Sequence, residues 1–129
     1  MRRESLLSED WFEKAARDMR RVEILLAADD IEGAGFHLQQ AVEKYLKGYL
    51  LGKGWELRRT HDLEILLNEA MVQDSRFEEY LDDCIIIREF YVQERYPFIG
   101  SSAPPRGELE SAIEAIRQMV PLILEDPEQ

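Results

Sequence analysis

The stretch "FHLQQAVEKYLKGYLLGKG", residues 36–54, constrains the fold more than any other. At about 100° per residue, Leu38, Ala41, Val42, Tyr45, Gly48 and Tyr49 fall on one face, and His37, Gln40, Glu43, Lys44 and Lys47 on the opposite one. Only a helix sorts these residues in that way. Gly48 lies on the apolar side, where a missing side chain lets a second helix approach closely, and Gly52 or Gly54 ends the segment. The polar side reads either as a solvated helix surface or as an additional polar site made of Gln40, Lys44, Lys47 and His61.

The same periodicity recurs along the chain, and no stretch alternates with period two, so the fold expected is all-α. A first helix is expected from Ser8, read as its N-cap, to about Ala28, with Trp11, Ala15, Met19, Val22 and Leu26 inward and Glu9 and Asp10 favouring the helix dipole. "DDIEGAG" is a short connection or a weak start to the second helix. "RRTHDLEILLNEA" begins a third, with Thr60 as cap and Asp62 in the first turn. A fourth runs from about Ser75 to Arg95, where Pro97 helps stop it, and "PFIGSSAPPRG" is the clear loop. The last helix, from about Glu108 to Leu124, turns Leu109, Ala112, Ile113, Ile116 and Val120 inward. Short connections between long helices imply antiparallel neighbours, hence an up-and-down antiparallel bundle of four to five helices.

A chain of 129 residues fits a single domain, 1–129, with its core at about 8–124. With 45% hydrophobic and 33% charged residues it has the balance of a folded soluble protein. No apolar run approaches the roughly 18 residues of a membrane span, so neither insertion nor export is expected. Cys84, the only cysteine, rules out an intrachain disulfide and suits a reducing cytoplasm. Within "CIII" it reads as buried filler rather than a nucleophile. A formal net charge of -11 lacks the basic surface on which general nucleic-acid binding depends, although a local basic pocket is compatible with it.

Two arginines stand out in "REFYVQERYPF". On a wheel of the fourth helix Phe77, Leu81, Cys84, Arg88, Tyr91 and Arg95 share one stripe, which places both guanidiniums on the core side. An inward arginine stays charged and must satisfy its donors. It therefore pairs with an inward acid or, at the end of the bundle, binds an anion such as phosphate, to which the forked guanidinium is suited. Ile86 and Phe90 fall on the solvent side of that helix, as scattered apolar residues or as a dimer contact. His37 and His61 are the only histidines and lack metal-ligand spacing, so no metal is expected; His61 reads as part of a helix cap. "GKG" at 52–54 lacks the surroundings of a phosphate loop, and no cofactor is implied.

One combination is more specific. Gln39, Gln40, Ala41, Glu43, Lys44 and Lys47, followed by Thr60, His61, Asp62 and Leu63 and then by Arg95, Tyr96 and Pro97, resemble the Q-Q-A-x-E-K-x-x-K, T-H-D-L and R-Y-P elements of the HEPN (higher eukaryotes and prokaryotes nucleotide-binding) domain family, small prokaryotic stand-alone type. The resemblance implies a helical bundle, a homodimer, and a separate minimal nucleotidyltransferase as partner in a toxin–antitoxin-like pair. It also implies, for many members, a metal-independent ribonuclease using an R-x4-6-H motif at the end of the last long core helix. This chain departs there: five to seven residues after Arg88 stand Gln93, Glu94 and Arg95, and no histidine follows His61. The imidazole that would move a proton near neutral pH is missing, and arginine does not deprotonate. The expectation is a cytoplasmic protein that binds a nucleotide or RNA phosphate through Arg88, Arg95, Tyr91 and Tyr96. The alternatives are a divergent ribonuclease relying on His61 and a purely structural interaction bundle.

Overall fold

The computed structural model describes residues 7–56, 59–95 and 104–125, with the side chains of 91–95 outside that set. Within these residues five α-helices follow one another: α1 Ser8–Ala27, α2 Ile31–Gly52, α3 Leu63–Gln73, α4 Leu81–Arg95 and α5 Arg106–Ile123. A 3-10 turn, Ser75–Tyr80, leads directly into α4. The architecture is the all-α up-and-down bundle expected from the sequence. Among the described residues no helix is long and apolar enough to cross a membrane.

The helix ends differ from the sequence reading in small ways with local causes. Ser8 is the first residue of α1 rather than its cap; Leu7 takes the cap position with no side-chain hydrogen bond. Asp30 caps α2, its carboxylate accepting from the Gly33 amide at 2.9 Å, so "DDIEGAG" is mostly helix. Asp62, not Thr60, caps α3 by accepting from the Glu64 amide at 3.0 Å. The Thr60 hydroxyl accepts two residues earlier, from the Asp62 amide at 3.1 Å, so the two side chains divide the orphan donors of the helix start between them. Most of the Pro/Gly/Ser loop, residues 97–103, lies outside the described residues.

The decisive feature is the position of α2, which packs against α1, α3, α4 and α5. Its apolar face is buried as expected, from Leu38 through Ala41, Val42 and Tyr45 to Tyr49. The expectation of a solvated opposite face does not hold: Gln39 and Glu43 are buried, and Lys47 is only 3% exposed. With neighbours on most sides, a helix has no wet face to give its polar residues. They must satisfy one another instead.

On α1, Trp11, Ala15, Asp18 and Val22 are buried, while Met19 and Leu26 are half-buried. The stripe therefore steps by four, three and four residues, the spacing of a packed helix seam, and places a carboxylate on it. In α5, Leu109, Ala112, Ile113 and Ile116 are inward as expected, joined by Met119 and Ile123, with Val120 half-buried.

The wheel of the fourth helix requires a larger correction. The inward residues are Phe77, Tyr80, Cys84, Ile87 and Phe90. In a 3-10 turn of about three residues per turn, Phe77 and Tyr80 lie on one line. The phase of α4 is thus set from Tyr80, which rotates Arg88 and Leu81 to the edge of the buried face. Phe90, expected on the solvent side, is 3% exposed, whereas Ile86 is indeed exposed. Gly35 on α2 makes room for the Phe90 ring: a Cβ there would lie 3.3 Å from Phe90 Cγ.

Gly48 has the role assigned to it. A Cβ at this position would lie 2.7 Å from Phe12 Cε1 and 3.0 Å from Trp11 Cβ, so α1 crosses α2 where only glycine fits. Overpacking by Gly48→Leu outweighs any gain in helix propensity, and urea denaturation should show a loss of at least about 2 kcal/mol. An unchanged midpoint would mean that α1 does not dock on α2 in this register.

Candidate functional site

Two polar hubs form on either side of α2. The first is built on Glu43, whose carboxylate is buried. Its Oε2 accepts from Lys47 Nζ at 3.1 Å, one turn along the same helix. Its Oε1 accepts from Gln39 Nε2 at 3.2 Å and lies 2.9 Å from His61 Nδ1. Gln39 Nε2 also donates to the His61 carbonyl at 3.1 Å, while Gln40 Nε2 donates to Gln39 Oε1 at 2.6 Å. The Lys47 ammonium completes its environment over the Trp11 ring, 5.7 Å from the centroid. A buried carboxylate is tolerable only with such partners. Here they come from α2 itself and from the segment before α3.

The hub fixes the segment that carries His61 and Asp62, and through it the setting of Arg88. Arg88 NH1 donates to Glu64 Oε1 at 2.9 Å and to Asp62 Oδ1 at a long 3.5 Å. Its NH2 stands 3.5 Å from Glu89 Oε1. The side chain is 32% exposed. Burial works against its charge, but the carboxylates of Asp62, Glu89 and Glu64 outweigh that and hold the guanidinium above its ordinary pKa. Arg88 is therefore a half-exposed cation at the start of α3, and the pairing with acids anticipated for it is present. Tyr91 and Arg95 follow on α4 with side chains outside the described residues, and Tyr96 lies outside them altogether.

The second hub is built on Asp18 of α1, 1% exposed. Its Oδ1 accepts from Arg21 NH1 at 3.0 Å and lies 3.0 Å from His37 Nδ1. Its Oδ2 accepts from Lys44 Nζ. The polar site suggested by Gln40, Lys44, Lys47 and His61 is thus divided: Lys47 and His61 meet at Glu43, Lys44 belongs to Asp18, and Gln40 is bonded to Gln39 between them. His61 is not a capping residue, since that work falls to Thr60 and Asp62. The residues that sequence reasoning missed are Asp18 and the acid pair Asp62 and Glu64 facing Arg88. The one signal for Asp18 was its place in the four-three-four stripe.

Cys84 is fully buried. Burial, helped by the neighbouring Asp83 carboxylate, pushes its thiol up to about 12, so it is no nucleophile near neutral pH. Among the described residues no group of three or more His, Cys, Asp or Glu side chains could hold a metal ion.

The class is an all-α helical bundle whose second helix is joined to the segment before the third by the Glu43 hub. A family model of the HEPN domain matches residues 8–126, and the chain belongs to that family. Among solved structures it is similar to TT1696 from Thermus thermophilus, with 26% identity and a TM-score of 0.77 over 90% of this chain and 94% of that one. It is also similar in fold to ST0689, described as an archaeal HEPN homologue, with 24% identity and a TM-score of 0.71 over 91% and 94% of the two chains. Among curated proteins none matches significantly.

Two measurements check the hubs. Glu43→Gln leaves the Lys47 ammonium buried without its counter-charge and should cost about 3 kcal/mol in urea denaturation, whereas Arg88→Ala, which breaks half-exposed pairs, should cost about 1 kcal/mol or less. Equal losses would contradict this ranking. For Cys84, an aromatic disulfide reagent at pH 8 should label the native protein only as fast as it unfolds. Because the folded thiol keeps its proton up to about 12 while an unfolded one releases it near about 8.5, stability should fall as pH rises through that interval.

Proposed function

We propose that this HEPN protein is a binding module rather than a nuclease: a homodimer that takes up a nucleotide or nucleic-acid phosphate at the α3–α4 edge through Arg88 and Arg95, with Tyr91 and Tyr96 beside them, and works with a separate nucleotidyltransferase chain. The observation that carries this reading is the state of Arg88. Only the Glu64 contact, at 2.9 Å, is short; the contacts to Asp62 and Glu89 are both 3.5 Å. Half-exposed pairs of this kind are each worth about 1 kcal/mol or less. A phosphate oxygen, which a guanidinium binds in a bidentate fork, competes with them on favourable terms. Binding without cleavage is supported by the sequence, which has no histidine after His61.

A second reading is favoured by one specific contact. The exposed His61 imidazole is oriented by the buried Glu43 carboxylate at 2.9 Å, and the next residue, Asp62, touches Arg88. An imidazole oriented by a carboxylate near a phosphate-binding cation is the arrangement that general-base catalysis needs. In this reading the protein is a divergent ribonuclease with His61 as base.

Thermal melting with ATP, other nucleotides and short RNA tests both. Ligand at about 100 times its dissociation constant adds roughly 2.7 kcal/mol, several degrees for a domain of this size. The shift should be present in the wild type and absent in Arg88→Ala/Arg95→Ala, each compared with its own unliganded protein. No shift with any ligand would defeat the binding reading and leave an interaction bundle. RNA cleavage that is lost in His61→Gln would replace it with the second reading, and light scattering decides the dimer separately.

A further inference from the structure

The Asp18 hub lies apart from the Arg88 edge and carries more positive charge than its carboxylate needs. One cation suffices to neutralise a buried carboxylate, and Lys44 on Oδ2 supplies it. Arg21 and His37 both converge on Oδ1 as well, each at 3.0 Å. With Asp18 and the two full cations counted, the cluster bears a surplus of one positive charge, and of two when the imidazole is protonated. All three donors reach solvent: Lys44 is 22%, His37 28% and Arg21 52% exposed, while Asp18 itself is 2% exposed. The carboxylate thus forms the floor and the cations the rim.

Lys14, Arg17 and Arg21 recur at three and four residues along α1, which puts them on one line of exposed positions. His37 and Lys44, seven residues apart, line the facing edge of α2. Arg17 is paired with Glu13 at 3.1 Å, so the surplus of positive charge at the α1–α2 seam is confined to Arg21, His37 and Lys44 around Asp18. The geometry is preorganised: Asp18 holds the rim side chains before any ligand arrives, so little rotamer freedom remains to be lost on binding. Arg21 and Lys44 retain further N–H donors beyond those given to Asp18, because a guanidinium has five and an ammonium three.

We infer that the Arg21–His37–Lys44 rim above Asp18 is an anion site for a single phosphate group, of the kind carried by a nucleotide or present as free phosphate. The surplus of one to two charges matches one phosphate monoester. A nucleic-acid strand would need further unpaired cations beside it, and the next one along α1, Arg17, is engaged by Glu13. The site is independent of Arg88 and of the function proposed for that edge.

Two-dimensional NMR of the full chain, titrated with inorganic phosphate and, in a parallel arm, with ATP, tests the assignment. The His37 imidazole and the backbone around residues 18–21 should shift in a saturable manner. Arg21→Gln, a change at an exposed position that leaves Lys44 and His37 on Asp18, should weaken binding by about tenfold, the loss expected for one charged hydrogen-bond donor. Arg21→Lys, which keeps the charge at that exposed position, should bind more tightly than Arg21→Gln, a difference that a merely damaged fold would not produce. Saturation by both probes marks a site for phosphate as such, and saturation by ATP alone a nucleotide site. The inference is overturned if neither probe moves His37, if Arg21→Gln binds as well as wild type, or if only residues 61–64 and the α4 end respond. Saturation by short RNA but by neither small anion would equally overturn it.

Discussion

The Glu43 carboxylate is the constraint from which much of the molecule follows. It is 4% exposed, and an ionised group that deep persists only where its surroundings supply donors. Lys47 and Gln39 come from its own helix, and His61 comes from a segment that would otherwise have little reason to lie against α2. With His61 docked, Asp62 is placed to cap α3. With α3 started there, Asp62 and Glu64 stand opposite Arg88 on α4. A single buried charge in the central helix thus sets the start of the third helix and the electrostatic setting of the fourth.

Asp18 plays the corresponding part between α1 and α2. Apolar surfaces alone tolerate a helix that rotates or slides by part of a turn, because area is buried in many arrangements. An ion pair between particular atoms does not tolerate it. Buried pairs often contribute less stability than apolar residues of the same volume would, so our hypothesis is that these two hubs specify register: Asp18 fixes α1 on α2 and Glu43 fixes the 59–62 segment. Gly48, which admits the Phe12 and Trp11 side chains at close range, fixes the same α1–α2 crossing by steric means. The hypothesis fails if a double replacement of Asp18 and Lys44 by apolar residues yields a protein with unchanged, sharp NMR signals.

Helix number, order and most inward residues were legible because the apolar spacing carries them. Gly48 was legible because a glycine on the apolar face of a helix leaves a gap that a close neighbour must fill. The buried polar residues were not. A wheel sorts residues into two faces and assumes that one is wet; α2, with four helical neighbours, breaks that assumption, and a wheel alone puts Glu43 and Lys47 in water where the fold buries them. Arg88 and Phe90 were misplaced because the turn through Tyr80 is 3-10, and an error of about 20° per residue accumulates over the turn into the wrong edge of the helix. The Q-Q-A-x-E-K-x-x-K and T-H-D-L elements stand out as one ordered combination, yet nothing in a linear sequence says that His61 of one meets Glu43 of the other. Such contacts bridge residues far apart in the chain and leave no periodic trace.

The ion pairs also bear on what the protein can bind. Arg17, Arg21, Arg76, Arg88, Arg106 and Arg117, with Lys44 and Lys47, all face carboxylates within the chain. The acids that remain uncompensated give the surface its net charge of -11. A polyanion lying across such a surface meets repulsion at many of its phosphates, and these eight cations, among the described residues, would have to leave a carboxylate to release its counterions. A compact ligand meets that repulsion once and can exchange one or two weak internal pairs for a bidentate contact. If the Arg88 edge binds an anion as proposed, electrostatics favours a nucleotide over an extended strand. By the same argument, a protein partner of this chain would present a basic surface to it.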